Sequence, residues 1–164
     1  VQQFVDLWPY TDTGKGLLLV GDCGVGKTHL AVAVLNEIIE AGKPGRLVFS
    51  NFQDLIQEIQ ASFDSDHVPR KSEILQPLLD ADLLVIDELG SQKPTTWVQD
   101  ILYYLINSRY NAEKSTIFTT NYFDETDGKR ESLADRIGAR LRSRLYEMAR
   151  RFEIRGDDHR RNTL

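Results

Sequence analysis

Residues 21–28 read Gly21-Asp22-Cys23-Gly24-Val25-Gly26-Lys27-Thr28. This stretch matches the pattern G-x-x-x-x-G-K-[ST] at every fixed position. In such a loop the glycines let backbone N–H groups wrap phosphate oxygens, the lysine reaches the β- and γ-phosphates, and the hydroxyl ligates Mg²⁺. The stretch therefore predicts a phosphate-binding loop between a strand and a helix.

The sequence on both sides of this loop has the pattern that the loop requires. Residues 16–20 form a short, continuously apolar run, which is typical of a strand buried on both faces of a parallel sheet. After the loop, apolar residues recur at helical spacing from Leu30 to Ile39, and Gly42 ends the pattern. The order of strand, loop and helix is the one that phosphate binding needs.

Further strands and helices are expected to alternate along the chain. Strands are predicted over 46–50, 82–87, 115–121 and 151–155, and helices over 52–63, 72–79, 96–110 and 132–149, with a loop over 64–70. Such alternation in a chain of 164 residues, 41% of them apolar, predicts one three-layer α/β domain. We expect a mainly parallel sheet of five strands.

Two carboxylates close the apolar strand predicted over 82–87. Asp87 is placed to hold Mg²⁺ together with Thr28, and Glu88 is placed to activate an attacking water. A kinase that must protect its phosphoryl group from water has little use for such a base, so Glu88 favours a hydrolase. Asn121 ends the strand predicted over 115–121. It is interpreted either as a hydrogen-bond donor to the water or γ-phosphate, or as a turn former.

Arginines are concentrated in the last part of the chain. Residues 129–164 carry a net charge of +5, whereas residues 1–128 carry a net charge of −10. Three arginines in the helix predicted over 132–149 are spaced one turn apart: Arg136, Arg140 and Arg144. They form either a guanidinium face that contacts phosphate across an interface, or a solvated face with Glu147 as a partner. The negative charge of the whole chain argues against indiscriminate coating of DNA.

Two residues in or next to the predicted phosphate loop are not expected to have a catalytic side chain. Cys23 lies inside the loop, where the backbone rather than the thiol is expected to contact phosphate. His29 is the first residue after the motif and is grouped with the nucleotide-binding residues, but we expect its side chain to pack rather than act as a base.

Composition excludes several classes of protein. The single cysteine excludes an internal disulfide, and no apolar run approaches the length of a membrane-spanning helix, so we expect a cytoplasmic protein without a membrane partner. The first residue is valine, and we expect the chain to be a piece of a longer one. Residues 1–14 are predicted to be a linker from an upstream domain, and residues 15–164 to form the catalytic domain.

Four motifs occur in a fixed order: G-D-C-G-V-G-K-T-H-L-A at 21–31, L-L-V-I-D-E-L-G at 83–90, T-T-N at 119–121 and L-A-D-R-I-G-A-R-L-R-S-R-L at 133–145. With these motifs the sequence resembles the AAA+ ATPase domain of the bacterial replicative helicase loaders of the DnaC/DnaI family. It is similar also to the transposition helper ATPase IstB. The resemblance implies a P-loop AAA+ fold, and the eight residues after Gly156 leave room for little or no C-terminal helical lid.

The resemblance also implies roles for single residues. ATP or ADP with Mg²⁺ is expected on the loop at 21–28, with Asn121 as sensor 1. Arg144, or else Arg140, is expected as the arginine finger that serves the ATP of a neighbouring subunit. Arg160 or Arg161 is expected as sensor 2.

The same resemblance implies partners. A homo-oligomer or spiral filament is expected, together with single-stranded DNA along residues 52–79 and a replicative helicase bound through a segment outside this chain. Phe4 or Trp8 is expected near the adenine. The alternatives are an IstB-like helper that acts on duplex DNA, a P-loop small-molecule kinase, and a nucleotide-binding module that does not hydrolyse ATP.

Overall fold

A computed structural model describes residues 2–9, 15–62, 71–124, 128 and 130–162. The elements follow in chain order: α1 (Gln2–Leu7), β1 (Gly16–Val20), α2 (Lys27–Glu40), β2 (Leu47–Asn51), α3 (Phe52–Ala61), α4 (Lys71–Asp80), β3 (Leu83–Asp87), α5 (Thr96–Asn111), β4 (Ser115–Thr120), α6 (Leu133–Ile137), α7 (Ala139–Met148), β5 (Ala149–Glu153) and a 3₁₀ turn (His159–Asn162).

The five strands form one sheet in the order β2-β3-β4-β1-β5, and every neighbouring pair is parallel. Leu17 of β1 pairs with Ile117 of β4, and Leu83 of β3 pairs with Ser115 of β4. Because all strands run the same way, their carboxyl ends meet at one edge. The prediction of a three-layer α/β fold with a mainly parallel sheet of five strands is confirmed.

The two faces of the sheet bury separate apolar clusters. Leu18 and Ile86 pack on one face with helices α3 to α7, whereas Leu17 and Val85 pack on the other face with α1 and α2. Successive residues of a strand point to opposite faces, so central strands need apolar side chains at every position. This is why β1 and β3 read as unbroken aliphatic runs.

A buried arginine ties together the amino edge of the sheet. Arg109 of α5 donates to the backbone oxygens of Leu78 (2.7 Å), Ala81 (2.7 Å) and Ser115 (2.6 Å), and to Oγ1 of Thr116 (3.0 Å). Burial lowers the pKa of Arg109 to about 10. Because its hydrogen bonds join α4, α5 and β4, the guanidinium acts as a structural clamp.

The prediction of one continuous helix over 132–149 is wrong. The segment forms two helices, α6 and α7, with Gly138 between them at φ 86° and ψ 148°. This backbone conformation is one that glycine adopts easily and other residues rarely do, so the helical path breaks there. The arginines on the two sides of Gly138 consequently do not share one helical face.

The beginning of the chain also differs from the expectation. Residues expected in a linker form α1, whose Phe4 and Val5, together with Trp8, are buried against the rest of the domain. Trp8 Nε1 donates to the backbone oxygen of Pro44 at 2.8 Å, and Lys43 Nζ donates to the backbone oxygens of Val5, Asp6 and Trp8. These contacts lie beyond the carboxyl end of α2. Residues 1 and 10–14 of the predicted linker lie outside the described residues.

The predicted loop over 64–70 likewise lies outside the described residues. Across the ranges that the structure does describe, no helix is both long and apolar enough to cross a lipid bilayer.

Candidate nucleotide site

The predicted phosphate loop borders a cleft of about 520 Å³ at the carboxyl edge of the sheet. Its lining residues are Cys23, Gly24, Gly26, Lys27, Thr28, His29, Glu88, Thr119, Asn121, His159 and Arg160. The predicted residues from three separate strand ends are thus brought together. Phe4 and Trp8, expected near the adenine, are not among the described lining residues of this cleft and pack with the core of the α1–α2 face.

The glycines of the loop have positions that exclude side chains. Gly24 has φ 79° and Gly26 has φ 92°, in the region that disfavours other residues. A Cβ on Gly24 would also lie 1.8 Å from Oδ1 of Asp158. Val25, by contrast, is buried and anchors the loop, and a Cβ on Gly21 would lie 2.3 Å from the backbone oxygen of Ile154.

Lys27 is a buried cation at the start of α2. Only 7% of it is exposed, and its Nζ donates to the backbone oxygen of Asp22 at 2.7 Å. Burial lowers the pKa of Lys27 below its ordinary value, although nearby acidic groups, including Asp87, partly oppose this effect. Among the described residues, no second acceptor takes its remaining N–H groups, which suits a lysine that contacts phosphate.

Thr28 and Asp87 meet as the sequence predicted. The Thr28 hydroxyl donates to the Asp87 carboxylate, with distances of 3.0 Å to Oδ1 and 3.1 Å to Oδ2. Mg²⁺ prefers hard oxygen ligands and takes only one or two from the protein when phosphates and waters supply the others. The hydroxyl and carboxylate, side by side next to the phosphate loop, fit that requirement.

Glu88 follows Asp87 in a left-handed backbone conformation, with φ 57°. Its Oε2 lies 3.5 Å from Nδ2 of Asn51, which donates to it from the end of β2. The Oδ1 of the same asparagine accepts from the backbone N–H groups of Gln53 and Asp54 and caps α3. Sequence reasoning did not predict the contact of Asn51 with Glu88.

A buried threonine joins the two carboxylate residues. Thr119 donates from Oγ1 to Oδ1 of Asp87 at 2.6 Å and accepts from the backbone N–H of Glu88 at 2.9 Å. Sequence reasoning missed Thr119, although its position before Asn121 in the run T-T-N was a usable signal. Asn121 itself lines the cleft beside Thr119, as predicted.

The segment after β5 runs along the phosphate loop. The backbone N–H of Ile154 donates to Val20 (2.7 Å), and that of His159 donates to Gly24 (3.2 Å). This path brings His159 and Arg160 to the cleft. Arg160 was a predicted site residue and His159 was not. The side chain of the alternative, Arg161, lies outside the described part of the structure.

The three spaced arginines have different surroundings, and none of them lines the cleft. Arg136 is 13% exposed and donates to the backbone oxygens of Gly90 (2.7 Å) and Ser91 (2.8 Å), which follow Glu88. Arg140 is exposed and stacks on the ring of Tyr103, 4.4 Å from its centre.

Of the two candidates for the arginine finger, Arg144 has more contacts within its own chain. It lies 4.0 Å from the ring centre of Tyr110 and forms an ion pair with Glu147 at 2.6 Å. The partner expected from the sequence is thus present. A hydrogen bond with Tyr103 also raises the pKa of Arg144. The single guanidinium face expected from the spacing is not formed.

The helices expected to carry single-stranded DNA are α3 and α4. Arg70, one of the two basic residues predicted there, lies outside the described residues, and so does the side chain of Lys71. The DNA prediction therefore stays a prediction.

A family model described as IstB-like ATP-binding protein matches residues 3–163. The chain belongs to this family. Curated proteins similar to the chain include the replicative helicase loader DnaI of Bacillus subtilis, 25% identical over 98% of this chain and 52% of that protein. The putative ATP-binding protein of insertion sequence IS21 from Pseudomonas aeruginosa is 28% identical over 92% of this chain and 54% of that protein.

A solved structure agrees with the family assignment. The crystal structure of a DnaC helicase loader superposes with a TM-score of 0.78 and 39% identity, covering 94% of this chain and 85% of that one. The family name and this likeness identify an ATP-binding AAA+ domain. The chain spans about half the length of the curated relatives named above.

Proposed function

We propose that this chain is the ATPase part of a helicase loader, which hydrolyses ATP with Mg²⁺, grips single-stranded DNA and acts on a replicative helicase in the cytoplasm. The observation that carries the proposal is the place of Glu88. Its carboxylate lies in the cleft that also holds Lys27, beside the Asp87–Thr28 pair. A nucleotide switch without turnover does not need a base at this point.

Each residue has a task in this reaction. Lys27 and the loop amides bind the phosphates of ATP, and Thr28 and Asp87 hold Mg²⁺, which neutralises charge on the β- and γ-phosphates when bound. Glu88 accepts a proton from the attacking water. Asn121 and Arg160, which both line the cleft, orient the water and the γ-phosphate.

The arginine finger is assigned to Arg140 rather than Arg144. Arg140 is exposed and, among the described contacts, stacks on and hydrogen-bonds with Tyr103 but has no ion pair. Arg144 must leave both Glu147 and Tyr110 before it can reach another subunit. An always-charged guanidinium on the surface of α7 suits the ATP of a neighbouring subunit, so we propose turnover in a homo-oligomer or spiral filament.

A second candidate function is an IstB-like transposition helper that acts on duplex DNA. The family match and the IS21 relative favour it. The preference for single-stranded or duplex DNA separates the two functions. A small-molecule kinase is disfavoured by Glu88, which would direct water at the phosphoryl group.

The test is ATP hydrolysis at several protein concentrations, without DNA and with single-stranded or duplex DNA of equal length. A rate per subunit that rises with concentration and with single strands supports the loader, and stimulation by duplex alone supports the helper. The control is Glu88→Gln, which keeps nucleotide binding and loses about 100-fold or more in turnover. Wild-type turnover no faster than that of Glu88→Gln would contradict hydrolysis at this site.

The finger assignment has its own test under conditions where the protein assembles. Arg140→Ala is expected to lower turnover by about 1,000-fold with nucleotide binding unchanged, whereas Arg144→Ala stays near the wild-type rate. Arg142→Ala is the matched control, because Arg142 is on the same helix but pairs with Asp124. A loss with Arg144→Ala and none with Arg140→Ala would reverse the assignment.

A further inference from the structure

We propose that Thr119 is a positioning residue that fixes both members of the carboxylate pair, and so sets the Mg²⁺ requirement of the site. This inference rests on the proposed ATPase function. Thr119 is fully buried in β4 and makes hydrogen bonds to three consecutive residues at the end of β3: Asp87, Glu88 and Leu89.

The hydroxyl of Thr119 has only one way to satisfy both of its contacts. Because Oγ1 accepts the backbone N–H of Glu88 (2.9 Å), its own hydrogen is free to point at Oδ1 of Asp87 (2.6 Å). The backbone oxygen of Thr119 accepts the N–H of Leu89 at 2.8 Å. One residue thereby holds a side chain and two consecutive backbone groups of its neighbouring strand.

The contact with Asp87 restrains the orientation of its carboxylate beside Thr28. Oδ1 accepts from Thr119 at 2.6 Å and is also approached by Thr28 at 3.0 Å, whereas among the described residues only Thr28 approaches Oδ2, at 3.1 Å. Thr28 is the residue whose hydroxyl would turn to Mg²⁺. Groups that orient a metal ligand in this way usually account for 10- to 100-fold, roughly, in metal affinity or activity.

The contact with Glu88 supports an unfavourable backbone. A residue other than glycine in the left-handed region costs about 1 kcal/mol. The bonds to the N–H groups of Glu88 and Leu89 bracket this residue and offset that cost. Without the hydroxyl of Thr119, the N–H of Glu88 loses its acceptor and the backbone of Glu88 can relax. The Glu88 carboxylate is then no longer held in position to activate the attacking water.

The neighbouring residue provides a matched control. Thr120 is also fully buried, and its Oγ1 donates to the backbone oxygen of Leu89 at 2.7 Å without touching either carboxylate. Thr→Val at either position removes one buried hydroxyl with little change of shape, so both variants should lose similar stability. Only Thr119→Val removes the bonds to Asp87 and Glu88.

The experiment measures binding of a fluorescent ATP analogue as Mg²⁺ is titrated, alongside kcat and KM for ATP. For Thr119→Val we expect a tenfold or larger increase, roughly, in the Mg²⁺ concentration at half-maximal binding, together with a fall in kcat that exceeds any change in KM. Binding without Mg²⁺ should be unchanged. Thr119→Ser, which keeps the hydroxyl, and Thr120→Val should both behave like wild type.

The outcomes separate this inference from the proposed function. If the wild type turns over ATP and Thr119→Val has the same Mg²⁺ titration and kcat, the positioning role is wrong. If Thr120→Val shifts both as much as Thr119→Val does, the effect is one of stability and the role is also wrong. If the wild type does not hydrolyse ATP but only Thr119→Val shifts the Mg²⁺ titration, the positioning role stands and hydrolysis fails. Should Thr119→Val not fold, Thr119→Ala takes its place.

Discussion

Two cations are buried at opposite edges of the sheet, and their surroundings differ. Arg109, at the amino edge, is completely buried and donates to three backbone oxygens and a hydroxyl. Lys27, at the carboxyl edge, is almost as buried but donates to a single backbone oxygen among the described residues. The chain accepts hydrogen bonds from four of the five N–H groups of Arg109, whereas Lys27 keeps N–H groups for the cleft that it lines.

The number of acceptors around a buried cation indicates whether it contributes to folding or to ligand binding. A cation whose donors are mostly taken by the chain contributes to folding, because removing it leaves buried acceptors without partners. A cation with donors to spare is costly to the empty protein, and its burial is useful only when a ligand accepts from it. Burial alone does not distinguish the two cases, whereas a count of acceptors does.

The largest effect on stability is expected at the amino edge. Arg109→Met should lower the free energy of unfolding by about 4 kcal/mol, because three buried carbonyl groups lose their donors. Chemical denaturation measures this change. Nucleotide affinity of the protein that remains folded should be unchanged. A loss below about 1 kcal/mol would show that water or relaxation replaces the clamp.

The second effect is on binding rather than folding. Lys27→Met should weaken ATP binding by about 100-fold, since a charged hydrogen bond to phosphate is lost. Its free energy of unfolding should be unchanged or higher, because burial already disfavours the charged lysine. Isothermal titration and denaturation of the same sample measure both. If Lys27→Met is less stable but binds ATP normally, Lys27 contributes to folding rather than to ligand binding, as Arg109 does.

Arg136 is an intermediate case, because it clamps backbone oxygens close to the cleft. Arg136→Lys keeps the charge but loses the fork that reaches both Gly90 and Ser91. We expect a loss of about 1–2 kcal/mol in unfolding free energy. The measurement is thermal or chemical unfolding beside Arg109→Met, and a loss as large as that of Arg109→Met would remove the distinction between the two clamps.

The smallest effect is expected from breaking the partly exposed ion pair of Arg142 with Asp124 by substitution of the carboxylate. Burial raises the pKa of Asp124, but hydrogen bonds from Arg142 and Tyr146 outweigh it and leave that pKa below its ordinary value of 3.8. A lowered pKa means that the charged carboxylate stabilises the fold above its unfolded-state pKa and loses this contribution as the pH falls through the folded-state pKa.

Asp124→Asn should therefore cost about 1 kcal/mol or less at neutral pH, after allowance for solvent screening. The difference between wild type and variant should shrink as the pH falls below 3.8. Denaturation at a series of pH values measures it. A difference that is constant down to the lowest pH would mean that the ion pair does not contribute.

Much of this molecule was predictable from local sequence. Strands β1 and β3 and the phosphate loop follow from apolar runs and glycines, because buried parallel strands admit few other patterns. The meeting of Thr28 with Asp87 follows as well, since the carboxyl ends of parallel strands share an edge. The starts of α3 and α5 also have local signals, because Asn51 accepts from the backbone N–H groups of Gln53 and Asp54, and Thr95 accepts from that of Val98. The last strand, predicted over 151–155, lies at Ala149–Glu153 and is mostly exposed, so its bounds were less predictable.

Other features depend on distant contacts and had no local signal. The break at Gly138 interrupts a pattern that is otherwise continuous over two helices, so apolar periodicity alone could not reveal it. The buried residues of α1 depend on a surface made by α2. The role of Thr119 depends on a neighbouring strand whose register no single sequence specifies. Contacts between distant elements are therefore the features that the sequence did not predict.

Asn51 makes one planar amide serve two distant parts of the chain. Its oxygen holds the first turn of α3, and its nitrogen reaches Oε2 of Glu88 at 3.5 Å. Because one planar amide makes both contacts, a single side-chain orientation serves the cap of α3 and the contact with Glu88. The first turn of α3 and the Glu88 carboxylate are therefore joined through one side chain, although Asn51 and Glu88 lie 37 positions apart in the sequence.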